Sequence, residues 1–258
     1  MVVCGFPWWV IVLLCLGVFL ASFMDAIGGG GGIISLPCYL LAGFPVHIAL
    51  GTNKLSACIG TVASTVRYVK NGFADWVLAI PSIILALIGS HVGTRLQLAV
   101  SEKYLKFMLL IVLPIIAVIL LKKKSFPEEK QAVNETLRKV IIFTSSLIIG
   151  VYDGFYGPGT GTFLLISFCY LAKLDVRTAS GNVKLVNLAS NVGALATSLA
   201  AKTVLVPIGL IAAIFALLGQ YIGAGLALKN GSKIVRPFIL IVLLLLGGKV
   251  LLELFGII

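Results

Sequence analysis

Two lysines lie where a charged side chain is costly. They end two short polar motifs, Gly51-Thr52-Asn53-Lys54 and Gly181-Asn182-Val183-Lys184, each inside a predicted helix with apolar surroundings. A lysine in such a place is usually functional or paired, unless it reaches the membrane interface from a helix end. We expect both lysines to bind an anion, together with Asn53 and Asn182. The alternatives are an ion pair or anchoring at the interface.

Two glycine-rich breaks supply backbone groups for the same chemistry. The first is the run Gly28 to Gly32, and the second is Gly157-Pro158-Gly159-Thr160-Gly161. A run of glycine disfavours a continuous helix, and the N–H groups at the start of the next helix favour an anion. Close helix packing is the alternative. The residues that we expect to bind in these breaks are Gly29, Gly30, Gly31, Gly32, Gly159, Thr160 and Gly161.

An aspartate lies beside each break, Asp25 before the first and Asp153 before the second. A carboxylate in this position has three possible roles. It could carry a coupling proton, neutralise a lysine, or cap the N-terminus of the following half-helix. The sequence leaves these three open.

The composition requires a membrane. Hydrophobic residues make up 60% of the 258 residues and charged residues 11%, and the mean hydropathy is +1.13. This predicts an all-α polytopic membrane protein.

The net charge of +11 comes from lysines and arginines between apolar segments, where the positive-inside rule and the lipid bilayer explain them, so we expect no nucleic-acid partner. Five cysteines without a C-x-x-C pair and two histidines predict no metal and no cofactor.

The apolar segments fall into two similar series. In each, a span leads to a glycine break, a half-helix too short to cross a bilayer, and three longer helices. The first series is predicted at Pro7–Met24, Ile33–Phe44, His47–Val69, Trp76–Leu98 and Glu102–Leu121. The second is predicted at Val140–Tyr156, Thr162–Ala172, Arg177–Ala200, Val204–Leu228 and Lys233–Phe255.

Polar and glycine residues recur between the two series at a separation of 130 (184 minus 54, for the lysines). The predicted domains are therefore a first transmembrane repeat, 1–121, a basic cytoplasmic linker, 122–139, and a second repeat, 140–258. The linker has six basic and three acidic residues, which places it inside and both termini outside. Each repeat then crosses the membrane an odd number of times, so the repeats are inverted. The basic cluster of Arg95, Lys103 and Lys106 would fall outside and conflicts with this orientation.

The chain resembles the TauE/SafE sulfite exporters, a family of sulfite and organosulfonate transporters that is also called the toluene sulfonate uptake permease family. The resemblance covers essentially the whole chain. It rests on the segments Asp25 to Pro37, Ala49 to Asn53, Gly154 to Gly161 and Ala179 to Asn182, and on Gly89-x-x-x-Gly93 and Gly219-x-x-x-Gly223. It implies a multi-pass protein of a bacterial-type plasma membrane that moves small sulfur oxyanions or sulfonates. Pro158 and Thr160 stand where the family usually has glycine.

We therefore expect a secondary transporter with alternating access, in which an anion binds between the repeats near the midplane. An anion channel, or a transporter of another small anionic metabolite, is the alternative. A membrane enzyme would need a nucleophile and base or a metal set, which the sequence does not offer. A non-transporting assembly subunit would have no use for a buried polar centre. The sequence leaves open whether the working unit is a monomer or a homodimer.

Overall fold

The computed structural model describes residues 2–3, 5–105, 127, 129 and 132–230. Most of the predicted span at Glu102–Leu121 and the whole of the one at Lys233–Phe255 lie outside these residues, as do eight of the eighteen residues of the basic linker. The prediction of orientation, which depends on the linker and the C-terminal tail, stays a prediction.

The described chain is helical, as predicted, apart from a two-residue antiparallel ladder of β1 (Val2–Val3) and β2 (Phe6–Pro7) near the N-terminus. The helices of the first half are α1 (Trp8–Gly28), α2 (Gly32–Leu41), α3 (Val46–Lys70) and α4 (Trp76–Ala99). Those of the second half are α5 (Glu135–Phe155), α6 (Thr160–Ile166), α7 (Val176–Ala200) and α8 (Val206–Asn230). A π-helical turn, Ser167–Leu171, continues α6.

Both glycine breaks interrupt the helix, as predicted. The backbone takes positive φ at Gly29 (+77°) and Gly30 (+85°) in the first break, and at Gly157 (+93°) and Gly159 (+85°) in the second. Residues with a Cβ rarely adopt this conformation, so glycine is required where the chain turns from one helix into the next. The first helix runs four residues beyond the predicted Met24, so Asp25 lies in its last turn rather than in the break.

Capping residues explain the start of α5. Asn134 accepts hydrogen bonds from the N–H groups of Thr136 and Leu137, at 2.8 and 3.3 Å. Helix α5 therefore begins at Glu135, five residues before the predicted Val140, because a side-chain cap and not the first apolar residue determines where it starts. Asp75 and Asp175 cap α4 and α7 in the same way.

Three of the described helices, α1, α4 and α8, are long and apolar enough to cross a membrane. Their outer faces carry large apolar side chains that are more than half exposed, among them Leu13, Ile80 and Ile214. Such surfaces are suited to lipid rather than water. The helices α2 and α6 with its π-helical turn are apolar but shorter, which agrees with the predicted half-helices.

The two halves contact each other in reciprocal pairs. Helix α4 packs against α5, the first helix of the second half, and α8 packs against α1, the first helix of the first half. A Cβ on Gly93 would lie 2.0 Å from the carbonyl oxygen of Val151, and one on Gly223 would lie 2.3 Å from that of Phe23. These glycines let the helix backbones touch.

A second reciprocal pair involves the polar motifs. A Cβ on Gly51 of α3 would lie 2.3 Å from the carbonyl oxygen of Thr203, and one on Gly181 of α7 would lie 2.0 Å from that of Phe73. In both contacts the start of a helix, α3 or α7, packs directly against a loop of the other half. That loop precedes α8 in the first case and α4 in the second. The loop residues are 130 positions apart (203 minus 73), like the glycines themselves (181 minus 51).

Candidate anion-binding site

The two glycine breaks meet each other between the halves. A Cβ on Gly29 would lie 2.4 Å from the carbonyl carbon of Gly161, and one on Gly32 would lie 3.2 Å from Cα of Pro158. The hydroxyl of Thr162 donates to the carbonyl of Gly28 at 3.0 Å. The glycines thus serve close packing, and the contact brings the N-terminal ends of α2 and α6 to one place.

The first ion pair at this place joins Lys184 of α7 to Asp25 of α1. The Lys184 Nζ lies 2.8 Å from Asp25 Oδ2 and also donates to the backbone carbonyl of Asp25. The N–H of Gly31 donates to Oδ1 at 3.1 Å, and Gln220 Nε2 donates to Oδ2 at 2.7 Å. Each carboxylate oxygen therefore has at least one donor, which offsets the cost of burying the charge.

The second ion pair joins Lys54 of α3 to Asp153 of α5, also at 2.8 Å. The hydroxyls of Thr160 and Ser190 donate to Asp153 at 2.8 and 2.5 Å. The Lys54 Nζ also donates to Oδ1 of Asn191 at 3.1 Å.

The lysine of each half pairs with the aspartate of the other half. Of the roles left open by the sequence, both aspartates act as counter-ions, and Asp25 in addition accepts an N–H at the start of α2. Interfacial anchoring of the lysines is ruled out, because Lys54 is only 7% exposed and Lys184 3%.

A cavity of about 50 Å³ lies between the two ion pairs. Of the predicted binding residues, its walls include Asp25, Gly30, Gly31, Gly32, Asn53, Lys54, Asp153, Thr160 and Gly161. The structure does not bring Gly29, Gly159, Asn182 or Lys184 to the cavity wall. Lys184 is buried on Asp25, and Asn182 donates to the carbonyl of Thr178 in its own helix at 2.9 Å.

The cavity also has polar walls outside the predicted binding residues. They include Ser22, Ser35, Ser56, Thr61, Asn187, Asn191 and Gln220. Gln220 is the most informative of them, since it is a buried amide in an otherwise apolar helix and contacts Asp25. A polar side chain inside a membrane helix is the signal that could have identified it. Its Oε1 has no hydrogen-bond partner among the described residues.

The charges of the site balance. The two lysines and the two aspartates sum to zero, and all four are less than one-tenth exposed. Within the described ranges no group of three His, Cys, Asp or Glu side chains is placed to hold a metal ion. The cavity wall therefore offers one cation, Lys54, and polar hydrogen atoms to a small anion, and this cation already has a partner in Asp153.

Comparisons with known proteins place the chain among membrane transporters. The model of a family described as "Sulfite exporter TauE/SafE" matches residues 14–250. The "Probable membrane transporter protein ORF9" of Sinorhizobium sp is 34% identical over 93% of this chain and 92% of its own length. The "Probable membrane transporter protein YfcA" of Escherichia coli K12 is 32% identical over 92% of this chain and 88% of its own length.

A "Probable membrane transporter protein" of Haemophilus influenzae is 30% identical over 92% of both chains. These names describe membrane transport and not an enzyme, as the sequence predicted. No solved structure matches the chain.

Proposed function

This chain belongs to the TauE/SafE sulfite exporter family, and we propose that it is a secondary transporter that carries a small sulfur-containing anion across the plasma membrane. The substrate class is sulfite or a short organosulfonate. The observation that supports this most is the position of Lys54, a buried cation on the wall of a polar cavity between the two halves.

Three kinds of group would hold the anion. The ammonium group of Lys54 supplies the charge, and the amide of Asn53 supplies a neutral donor on the same wall. The start of α2 supplies N–H groups. Since Gly31 already donates to Asp25, those of Gly30 and Gly32 are the candidate donors. The N-terminus of a helix favours negative charge for this reason.

The size of the cavity favours a small ligand. Its volume of about 50 Å³ corresponds to roughly four water molecules at about 10–15 Å³ each. An ion with few heavy atoms, such as sulfite, fits this space with little rearrangement. A long organosulfonate would need the cavity to open.

The reciprocal contacts of the described residues support two inverted repeats. The boundaries 1–121 and 140–258 stay predictions, and α5 already begins at Glu135, within the predicted linker. Each half offers an aspartate, a lysine and a glycine break, and each lysine binds the aspartate of the other half. A pseudo-twofold axis through the cavity would produce this pattern, and transporters built in this way bind substrate near the axis at the membrane midplane. Alternating access would then open the cavity first to one side of the membrane and then to the other.

The proposal can be tested by binding and exchange. The purified protein is first tested by thermal shift with sulfite, sulfate, thiosulfate and methanesulfonate, with chloride as control. Exchange of the anion that binds is then measured in proteoliposomes. We expect saturable exchange that falls about 10- to 100-fold in affinity in Lys54→Gln, because a hydrogen bond to a charged group contributes about 1.5–3 kcal/mol.

Lys70→Gln is the matched control, since Lys70 is an exposed lysine at the end of the same helix. Its affinity should equal that of the wild type. Flux that rises linearly with concentration would point to a channel. If Lys54→Gln exchanged the anion as well as the wild type does, Lys54 would not be part of the binding site.

A further inference from the structure

We propose that Asp153 takes up one proton when the anion binds Lys54, so that anion and proton cross the membrane together, while Asp25 remains ionised throughout. This inference rests on the proposed function, since it assigns the coupling ion of the same site. It is carried by a difference in the hydrogen-bond partners of the two aspartates.

The partners of the Asp25 side chain can only donate. They are the backbone N–H of Gly31, the amide nitrogen of Gln220 and the ammonium group of Lys184. A proton on this carboxylate would find an acceptor only if the Gln220 amide turned its Oε1 towards Asp25, which would break the hydrogen bond that Nε2 donates. The arrangement that the structure shows, with donors on both carboxylate oxygens, favours Asp25 as a carboxylate.

Two of the three partners of Asp153 are hydroxyls, which can donate or accept. Each hydroxyl also has a second acceptor within reach. Ser190 Oγ lies 3.0 Å from the carbonyl oxygen of Asn187, and Thr160 Oγ1 lies 2.7 Å from that of Gly157. When a hydroxyl turns its hydrogen to that carbonyl, its oxygen is free to accept a hydrogen bond from a protonated Asp153.

The coupled step is then balanced. A proton from the side on which the cavity is open bonds to Asp153 Oδ2 and converts the carboxylate to a carboxylic acid. The new O–H donates to Ser190 Oγ, whose own hydrogen turns from Asp153 to the carbonyl of Asn187. No donor or acceptor of this group is left unpaired. The ammonium group of Lys54 loses its counter-ion and takes the substrate anion in its place.

The charge of the cavity supports the same stoichiometry. Before binding, the two lysines and two aspartates cancel, so a singly charged anion alone would leave one uncompensated negative charge in a buried site. One such anion with one proton restores the balance.

Other ionisable groups around Asp153 are engaged elsewhere. Lys184 of α7 is bound to Asp25 of α1. The hydroxyl of Tyr152, on α5 itself, donates to the carbonyl of Pro158 at 2.6 Å. On α4, which packs along α5, the Nδ1 of His91 lies 2.7 Å from the hydroxyl of Thr197. Lys54 of α3 is left as the cation that responds to the charge of Asp153.

The test uses the full chain in proteoliposomes with methanesulfonate, which carries one negative charge and no proton over the working pH range. Sulfate and thiosulfate, which carry two negative charges, are compared with it. Anion binding is measured as a function of pH, and proton entry is followed with a dye inside the vesicles. We expect one proton to enter per methanesulfonate. The affinity for it should rise about tenfold for each unit by which the pH is lowered, as long as Asp153 is ionised in the anion-free protein.

Asp153→Asn mimics the protonated state. It should bind the anion with an affinity that no longer depends on pH, and an imposed pH gradient should no longer drive accumulation. Ser190→Ala should weaken the pH dependence, because it removes the acceptor of the new proton. Ser180→Ala is the matched control, a buried serine of the same helix that donates to the carbonyl of Val176, and it should behave as the wild type.

Infrared difference spectroscopy tests the protonation without transport. Acidification should produce a carboxylic acid band in the wild type that is missing in Asp153→Asn. Exchange without proton entry, or a band that persists in Asp153→Asn, would overturn the inference and leave the proposed function standing. If none of the anions in either panel binds, the proposed function fails, and the infrared band alone decides whether Asp153 is protonated.

Discussion

The two ion pairs are alike in chemistry and different in surroundings. Each joins a lysine to an aspartate at 2.8 Å across the two halves. We call Lys184–Asp25 the closed pair, because an amide and a backbone N–H also donate to its carboxylate and its lysine does not reach the cavity. We call Lys54–Asp153 the open pair, because its carboxylate has hydroxyl partners and both of its members line the cavity. Two copies of one motif can therefore take different tasks, one structural and one in binding.

The neighbours that cause this difference lie on α3 and α7. At the separation of 130, Ser190 and Asn191, which support the pair Lys54–Asp153, correspond to Gly60 and Thr61. Neither Gly60 nor Thr61 forms a hydrogen bond with the pair Lys184–Asp25. There the amide of Gln220, on α8, donates to the carboxylate instead. The duplicated charges are the same, and the residues that surround them determine how each pair behaves.

The largest effect is expected from breaking the closed pair. Lys184→Met leaves Asp25 as an uncompensated buried charge, and removing one partner of a buried pair costs about 3–5 kcal/mol. Lys54→Met should cost clearly less, because the hydroxyls of Thr160 and Ser190 can accept as well as donate, so that Asp153 can take up a proton when its lysine is removed. The unfolding temperature of the two variants in the same detergent compares them. Adding Asp25→Asn to Lys184→Met should recover much of the loss, since it removes the unpaired charge. Equal losses in the two single variants would show that the pairs do not differ in this way.

A smaller effect is expected at the glycines that hold the two aspartate-bearing helices. Gly93 lets α4 pack closely against α5, which carries Asp153. Gly223 lets α8 pack closely against α1, which carries Asp25. Alanine at either position would force the backbones apart, at a cost of about 1–3 kcal/mol. Both variants should therefore lose stability by a similar amount in thermal unfolding.

Their effects on the anion should differ. Gly93→Ala moves Asp153 relative to Lys54 and should weaken anion binding in the thermal-shift assay, whereas Gly223→Ala should leave the affinity close to that of the wild type. A loss of affinity in Gly223→Ala with Gly93→Ala unaffected would reverse the roles that we assign to the two pairs.

Much of the fold was predictable from the sequence, because its causes are local. The end of the first helix and the start of the second are determined by glycines with positive φ, and most helix bounds fall within a few residues of the apolar segments. The largest difference in a helix start is at Glu135, where the Asn134 cap lies in a polar segment that hydropathy assigned to the linker.

The site was predictable only in part, because its pairings are not local. Both lysines and both aspartates were expected to matter, yet their partners lie 99 residues apart for Lys54 and Asp153 (153 minus 54) and 159 for Lys184 and Asp25 (184 minus 25). Only the packing of the halves determines which aspartate each lysine meets. Gln220 was missed, because a single amide in an apolar segment marks a polar position but has no spacing pattern that would link it to Asp25.

The smallest effect is expected at the asparagine that lies away from the cavity. At the separation of 130, Asn182 corresponds to Thr52, whose hydroxyl accepts the N–H of Leu205 at 3.0 Å. The Oδ1 of Asn182 has no hydrogen-bond partner among the described residues, and an unpaired buried acceptor costs about 1–3 kcal/mol.

Asn182→Thr should therefore raise the unfolding temperature slightly and change the anion affinity by less than about twofold, well under 1.4 kcal/mol. The matched exchange in the other half is Asn53→Val, since Val183 corresponds to Asn53. That variant removes a polar group from the cavity wall and should weaken binding. If Asn182→Thr weakened binding as much as Asn53→Val, the anion would contact both halves equally, and the division between a closed pair and an open pair would be wrong.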